Sequence, residues 1–324
     1  MRFKAKLNSE QVSALHSLLA SLGRLSSGGA ADRNSGSGGT VCQLDADHFR
    51  IIGSGRSQDA DGIICFVEMG VDKIFVDHRI ESNAENNKIS FEIESSQLKA
   101  ALKSILSKGE EEITAHAAER YAVLKLAKRS NAPCLCLDAC SSGSGAKIQV
   151  HHAIPLRLLR PEEFLNSLPS SEIPAPTVQL EIPPDLPIAT VVDRLKAVNT
   201  SSGLSGMNKA CTIYLHASMQ GDLDIAYNCD GSSLKTYFRH LTPRPEGCAD
   251  ATQEQAAATL KLDTRKLSAS LAWPTPLVSS ALLCLVENEV LVVHVRLRRN
   301  VGTMTYYVPV HYYESDEHPL ENND

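Results

Sequence analysis

Four groups of residues in this chain are of the types that carry chemistry, and their spacing argues against each. Cys134-Leu-Cys136 with Cys140 resembles a metal-ligand cluster, but the spacing is not that of a zinc site and no second pair lies at a suitable distance. Strand-core thiols are the better reading. His151-His152 offers two imidazoles, yet neighbouring residues of a strand point to opposite faces, so the two would not converge on one ion. Gly143-Ser-Gly145-Ala-Lys147 lacks the spacing of a phosphate-binding loop, and Gly53-Ser-Gly55 lacks the third glycine and the following helix of a dinucleotide site. Both read as turns. No G-x-S-x-G elbow is present, and the many carboxylates form no motif. The expectation is a protein without an active site, calling for no cofactor and no metal, although a discontinuous carboxylate pair would escape this reading.

The elements that would position any such residues are mostly strands. Period-two alternation runs through Phe3-Ala5-Leu7, 41–44, 49–52, 63–67, Ile89-Phe91-Ile93, 121–126, 135–139 and 148–150. Two amphipathic helices interrupt them. Val12, Leu15, Leu18, Leu19 and Leu22 share one face after a cap expected at Ser9-Glu10; Leu98, Ala101, Leu102, Ile105 and Leu106 share another, with Ser95 or Ser96 as cap and Gly109 at the end. A proline-bearing stretch, 156–176, then reads as a connector, with Pro161, Pro169, Pro174 and Pro176. Beyond it the order recurs: a strand at 178–182, a helix at 185–198 with Ile188, Val191, Val192, Leu195 and Val198 inward, more strands, and a short helix at 264–272.

The recurrence extends to individual residues. Phe91 to Leu102 lines up with Leu260 to Leu271, each reading strand, acidic residue, hydroxyl cap, helix; as strands, 121–128 matches 281–287 and 133–140 matches 290–297. Each half closes on an apolar-proline pair, Ile154-Pro155 and Val308-Pro309. The chain therefore reads as a duplicated α+β unit with its helices on one face: 1–155, a connector 156–176, 177–313, and an acidic tail 314–324. The Gly/Ser-rich segment 26–39 fits no element.

At 324 residues with 43% apolar content, each half can bury a core. No apolar run approaches the roughly 18 residues of a membrane span, and the amino end shows no signal-peptide core. The nine cysteines, an odd number, lie mostly in apolar runs (Cys65, Cys134, Cys136, Cys211, Cys284), as expected of free thiols in a cytosolic or nuclear protein. A net charge of −6 argues at first against nucleic acid. Its distribution argues the other way. The four helices carry Arg24, Lys99, Lys103, Lys108, Arg194, Lys196, Arg265 and Lys266 against Glu10, Asp185 and Asp193, a net +5 that leaves −11 for the remainder; including Glu94 and Asp263 lowers the helical figure to +3. A chain acidic overall and basic along its helices offers one surface to phosphates. No aromatic residues interleave with these bases, so contact would be by charge alone, without sequence preference.

The start Met1-Arg-Phe-Lys-Ala-Lys-Leu7, the segment Ser82-Asn-Ala-Glu85-Asn-Asn-Lys-Ile89, Pro133-Cys-Leu135, His152-Ala-Ile154-Pro155 and Asp263-Thr-Arg265-Lys266-Leu267 together resemble the Hus (hydroxyurea-sensitive) family, one subunit type of the nine-one-one checkpoint clamp. The resemblance implies the fold of the proliferating cell nuclear antigen, with the helices lining a central hole and antiparallel sheets outside. It implies a nuclear, non-catalytic subunit that joins two sibling clamp subunits in a ring around double-stranded DNA. It further implies a damage-specific clamp loader and checkpoint and repair clients as partners.

By that resemblance the basic helix residues face DNA. Ring closure would use edge strands at 147–154 and 232–241, with Lys147, Gln149, His151, Ala153, Leu234, Thr236, Tyr237 and Phe238 at the interfaces. Leu156, Leu158, Phe164, Leu165 and Leu168 would either line a groove for client peptides or pin the connector to the sheets. The alternatives are a self-trimerising replication clamp, an interaction scaffold that encloses no DNA, and a metal-dependent nuclease.

Overall fold

The computed structural model describes residues 1–26, 39–54, 62–106, 121–142, 147–169, 173–201, 212–229, 232–248 and 255–310. In the first half these form β1 (Arg2–Leu7), α1 (Ser9–Ser26), β2 (Thr40–Leu44), β3 (His48–Ser54), β4 (Ile64–Gly70), α2 (Val71–Ile74), β5 (Asp77–Glu81), β6 (Ile89–Ile93), α3 (Ser95–Leu106), β7 (Ala122–Arg129), β8 (Ala132–Ser142) and β9 (Lys147–Leu158). After α4 (Pro161–Leu165) come β10 (Val178–Ile182), α5 (Ile188–Ser201), β11 (Thr212–Ser218), β12 (Asp222–Cys229), β13 (Ser232–Phe238), β14 (Thr242–Pro243), β15 (Ala257–Asp263), α6 (Thr264–Ser270), β16 (Val278–Val286), β17 (Val290–Leu297) and β18 (Gly302–Pro309). The helical period of the apolar residues in α1 puts Val12, Leu15, Leu18, Leu19 and Leu22 in the core, and β1, alternating at period two, buries Phe3, Ala5 and Leu7 against the same cluster.

The duplication holds at the level of pairing. In the first half β1 is flanked by β5 and β7, and β8 and β9 follow; in the second half β10 is flanked by β14 and β16, with β17 and β18 following. Likewise β6-β2-β3-β4 answers β15-β11-β12-β13. The alignment of Phe91 with Leu260 is met in register, since Cys42 pairs with Phe91 as Leu215 pairs with Leu260. All these pairings are antiparallel, and the class is α+β as expected.

Helix starts differ from expectation in a common way. Asn8, not Ser9, caps α1: its Oδ1 accepts the Gln11 N–H at 2.8 Å while Gln11 Oε1 accepts the Asn8 N–H at 3.0 Å, a reciprocal box. Asp263 caps α6, accepting the Arg265 N–H at 2.6 Å, and Thr264 is already helical. At α3 the carboxylate of Glu94 takes the Ser96 hydroxyl and the Gln97 amide, both at 2.6 Å, while Ser95 opens the helix. In the repeated unit the acidic residue, not the hydroxyl that follows it, stands at the helix boundary.

The two halves share one sheet. β18 pairs with β4 from Gly302↔Met69 to Tyr307↔Ile64, joining the strands of both halves into a single 14-stranded sheet. Gly302 permits the closest approach in this joint, since a Cβ there would lie 2.0 Å from the Glu68 carbonyl oxygen. The sheet continues past the expected start of the connector at 156: β9 runs to Leu158, pairing with β8 through Pro155 and with β6 from Leu156 onward.

Candidate nucleic-acid interface and free strand edges

The four long helices form one continuous layer in the order α3-α1-α6-α5, because α1 packs against both α3 and α6, and α6 against α5. Leucines fix this layer to the sheets: Leu15, Leu18, Leu98, Leu102 and Leu267 are all buried. The opposite side carries the basic residues. Arg24, Lys103, Arg194 and Arg265 are exposed; Lys99 and Lys266 are half-buried. Lys108 lies outside the described residues, and of Lys196 only the backbone, within α5, is described.

Sequence reasoning missed His16. It sits on α1 beside α3, and burial together with the nearby charges of Lys99 and Lys103 pushes its imidazole below the ordinary 6.5. The helical acids are partly accounted for. Glu10 forms an ion pair with Arg299 from the β17–β18 turn, and Asp193 accepts a 2.6 Å hydrogen bond from Ser268. The Glu10–Arg299 pair also ties the start of α1 to the second half of the chain. No local pattern in the sequence announces a pair 289 residues apart.

Asp45, Asp47 and His48 form the one group of potential metal ligands among the described residues. Asp45 is already engaged. Its Oδ1 accepts the N–H groups of Asp47 and His48 at 2.9 and 2.7 Å, and Oδ2 pairs with Arg50. Burial pulls this carboxyl up, but those hydrogen bonds and Arg50 outweigh it and hold it below the usual carboxylate range. The cluster is a turn closed by an arginine. Cys134 and Cys136 are buried on one face of β8 with their sulfurs 3.7 Å apart, as strand-core thiols. Cys65 is buried, Cys284 half-buried, and Cys211 lies outside the described residues. No described helix is long and apolar enough to cross a membrane.

The connector residues divide. Leu156 and Phe164 are buried, at 9% and 3% exposure. Leu158 and Leu165 are exposed at 42% and 62%, and Leu168 is half-buried. The backbone N–H of Arg160 donates to the Glu163 carboxylate at 2.8 Å, and this bond and the pairs of Arg157 with Glu92 and Glu163 hold α4 in place.

Among the described residues β5, β13, β14 and β15 each pair with one strand only, and so does β9 before Leu156. β13 pairs only with β12, and β9 before Leu156 pairs only with β8. These are the segments expected at 232–241 and 147–154. In the duplicated unit they are the counterparts of β4 and β18, the two strands that pair with one another. The shared registers Ile51↔Val67 and Ile225↔Thr236 make Leu234, Thr236 and Phe238 the counterparts of Cys65, Val67 and Met69. Leu135↔Ile154 and Leu291↔Val308 make Val150 and His152 the counterparts of Met304 and Tyr306. Cys65, Val67, Met69, Met304 and Tyr306 are all fully buried, whereas Leu234 is 40% exposed and Tyr237, next along the strand, 56%. His151 and Ala153 sit on β9 as expected, exposed and half-buried; of Lys147 and Gln149 only the backbone is described. Thr236 and Phe238 are half-buried.

A layer of helices over a duplicated sheet defines the class: this is the sliding-clamp fold. The solved structures agree. The chain superposes on a subunit of the PCNA2–PCNA3 complex of Sulfolobus tokodaii with a TM-score of 0.59 and 12% identity, covering 95% of this chain and 99% of that one. Against PCNA of Thermococcus kodakaraensis the TM-score is 0.58 at 14% identity, covering 95% and 100%. Within that class, the family model described as Hus1-like protein matches residues 1–311, and the chain belongs to this family. It is similar to checkpoint protein HUS1 of Homo sapiens, 26% identical over 255 residues, which is 76% of this chain and 81% of the human protein.

Proposed function

We propose that this chain closes a heterotrimeric ring with two sibling clamp subunits and holds double-stranded DNA against its helix layer. As a member of the Hus1-like family with the clamp fold, it is a checkpoint sliding-clamp subunit. One observation carries the ring. Two strands with open edges, β9 and β13, are the counterparts of the two strands that join the halves within the chain. A sheet edge left open with apolar residues along it is an aggregation liability unless a partner covers it. A ring built by repeating the β18–β4 joint between chains covers the edges of β9 and β13.

The helix layer supplies the rest. Arg24, Lys99, Lys103, Arg194, Arg265 and Lys266 lie on one side of it, and Lys108 and Lys196 belong to the same helices by sequence. Contact with DNA there is electrostatic and indifferent to sequence, which suits a ring that slides. The two halves with their connector are the domains of the clamp, and the chain works in the nucleus as a non-catalytic platform. A damage-specific loader places it on DNA, and checkpoint and repair clients bind it, with Leu158, Leu165 and Leu168 of the connector available to them.

Light scattering tests the assembly: the chain alone is expected to be monomeric or poorly soluble, and with its two siblings to form a one-to-one-to-one trimer. A stable homotrimer would instead make it a replication clamp. The DNA surface is tested by changing Lys99, Lys103, Arg265 and Lys266 together to Glu. Stability should change little, by about 0.5 kcal/mol or less per site, while retention of the assembled ring on circular DNA falls equally for unrelated sequences. The loss should shrink as salt rises, each phosphate contact contributing about one unit of log-log slope. Unchanged retention at low salt with an intact ring would reduce this face to ordinary solvated surface.

A further inference from the structure

Strands β6 and β15 occupy the same place in the two halves, and the chain treats their outer edges differently. In the first half β9 leaves β8 after the pair Cys134↔Pro155 and runs on beside β6, with Leu156 opposite Ile93, Arg157 opposite Glu92 and Leu158 opposite Phe91. In the second half β18 leaves β17 after the equivalent pair, Val290↔Pro309, and the described chain ends one residue later at Val310. β15 pairs with β11 and with no other strand among the described residues. The core positions of the two edges match: Phe91 and Ile93 on β6 and Leu260 and Leu262 on β15 are all 2% exposed or less, and Val310 is buried as Leu156 is.

The sequence after Val310 repeats the pattern of the sequence after Leu156. Arg157-Leu-Leu159-Arg-Pro-Glu162-Glu163 and His311-Tyr-Tyr313-Glu-Ser-Asp316-Glu317 each read nitrogen base, two bulky residues, two further positions and two acids, at the spacing that carries Ile154 onto Val308. Charge is exchanged between the two copies. On β6 an acid, Glu92, pairs with Arg157 at 2.9 Å, and Arg157 in turn holds Glu163 at 2.7 Å. On β15 the equivalent of Glu92 is Lys261, and the row that continues from it across the sheet, Tyr214, Ala226 and Lys235, contains no carboxylate. The sequence from His311 onward carries Glu314, Asp316 and Glu317 and no lysine or arginine. An acidic edge receives a basic segment in the first half; a basic edge is matched by an acidic segment in the second.

We propose that residues 311–313 continue β18 as a strand along the open edge of β15, with Val310 opposite Leu262, His311 opposite Lys261 and Tyr312 opposite Leu260, and that Lys261 receives the acidic residues that follow. The register is the one β9 takes on β6, carried over residue by residue. Tyr313 then stands at the place of Leu159, whose N–H donates to the Ser90 carbonyl at 2.9 Å, and the equivalent carbonyl is that of Thr259. A strand laid there covers backbone groups that an open edge offers to any foreign strand. The end of the chain is thus a second copy of the start of the connector, and it withholds β15 from partner strands.

Hydrogen exchange of the full-length chain, resolved residue by residue, tests this before any substitution is made. The amides of 311–313 should exchange as slowly as those of 157–159, at least about tenfold below the rate of a short peptide of the same sequence. Exchange at the peptide's rate overturns the proposal. Tyr312→Pro removes a strand N–H, and it should speed those amides of 257–263 that do not bond to β11 by at least about tenfold while 89–93 exchange as in wild type. Lys261→Glu keeps the backbone intact and should speed exchange at 311–313 by about threefold at low ionic strength, the difference vanishing as salt is added. If the outward amides of 257–263 stay slow in Tyr312→Pro while 311–313 exchange freely, another strand covers the edge, a second copy of the chain where sedimentation shows a dimer, and the proposal fails.

Discussion

Strands β4 and β13 occupy the same place in the two halves, yet one is sealed and the other is not. The core-side residues of β4, Cys65, Val67 and Met69, have no exposed surface, because β18 lies alongside and its half of the molecule covers them. On β13 the same positions hold Leu234, Thr236 and Phe238, with Leu234 40% exposed. The strands across the joint differ in kind. β18 offers Met304 and Tyr306 to the core, while β9 offers Val150 and His152 at those places. A duplicated unit thus shows what its free edges look like when satisfied.

The largest test of this contrast is truncation of the paired side chains. Tyr306→Ala should destabilise the isolated chain by about 3–5 kcal/mol in urea unfolding, since a fully buried aromatic leaves a cavity. His152→Ala should cost only about 1 kcal/mol, mostly its hydrogen bond to Ser104. Equal losses would mean that β9 is as completely covered as β18 within one chain. A finer comparison exchanges the residues at one equivalent position. Val67→Thr buries a hydroxyl at a fully enclosed site and should cost about 1–3 kcal/mol, whereas Thr236→Val should shift the isolated chain by no more than about 0.5 kcal/mol.

The smallest effect is one of pH. His16 in the first half and His294 in the second are both pushed below 6.5, His16 by burial with Lys99 and Lys103, His294 by burial with Arg296. The native state therefore takes up fewer protons than the unfolded chain. Stability is complete above about 6.5 and declines as the pH falls from there towards the lowered native values. Replacing His16 with Gln should flatten part of that decline in thermal melts recorded across this range. A slope identical to wild type would show that neither burial nor Lys99 and Lys103 shifts the imidazole.

What could be read from the sequence divides along the same line. The duplication was visible because helix and strand periods are local, and Phe91–Leu102 and Leu260–Leu271 repeat both in order. Burial of Leu15, Leu98 and Leu267 follows from the same periodicity. The capping roles of Asn8, Glu94 and Asp263 were displaced by one residue, since neighbouring acidic, amide and hydroxyl side chains all suit a helix start. Strand β5 went unseen because Asp77, His78, Arg79 and Glu81 suit an outermost strand of the sheet and carry little apolar signal. The joint β18–β4 and the Glu10–Arg299 pair were invisible because alternation tells which face of a strand is buried and not which strand lies beside it. At the connector, composition suggested a loop where β9 continues to Leu158, and gave no means of separating buried Phe164 from exposed Leu165.

The β18–β4 joint also governs how a ring containing this chain comes apart. Its two strands belong to one polypeptide, so after any local rupture they meet again at an effective concentration that for short tethers reaches the order of millimolar. A joint made by β9 or β13 with another chain has no such tether once the ring has dissociated, and it re-forms only as fast as free subunits find each other in dilute solution. Hydrogen bonds of the same kind are thus self-healing inside the chain and lasting breaks between chains. In the proposed ring, opening for entry of DNA and final unloading fall to the untethered joints, and the built-in one behaves as a rigid segment of the circumference.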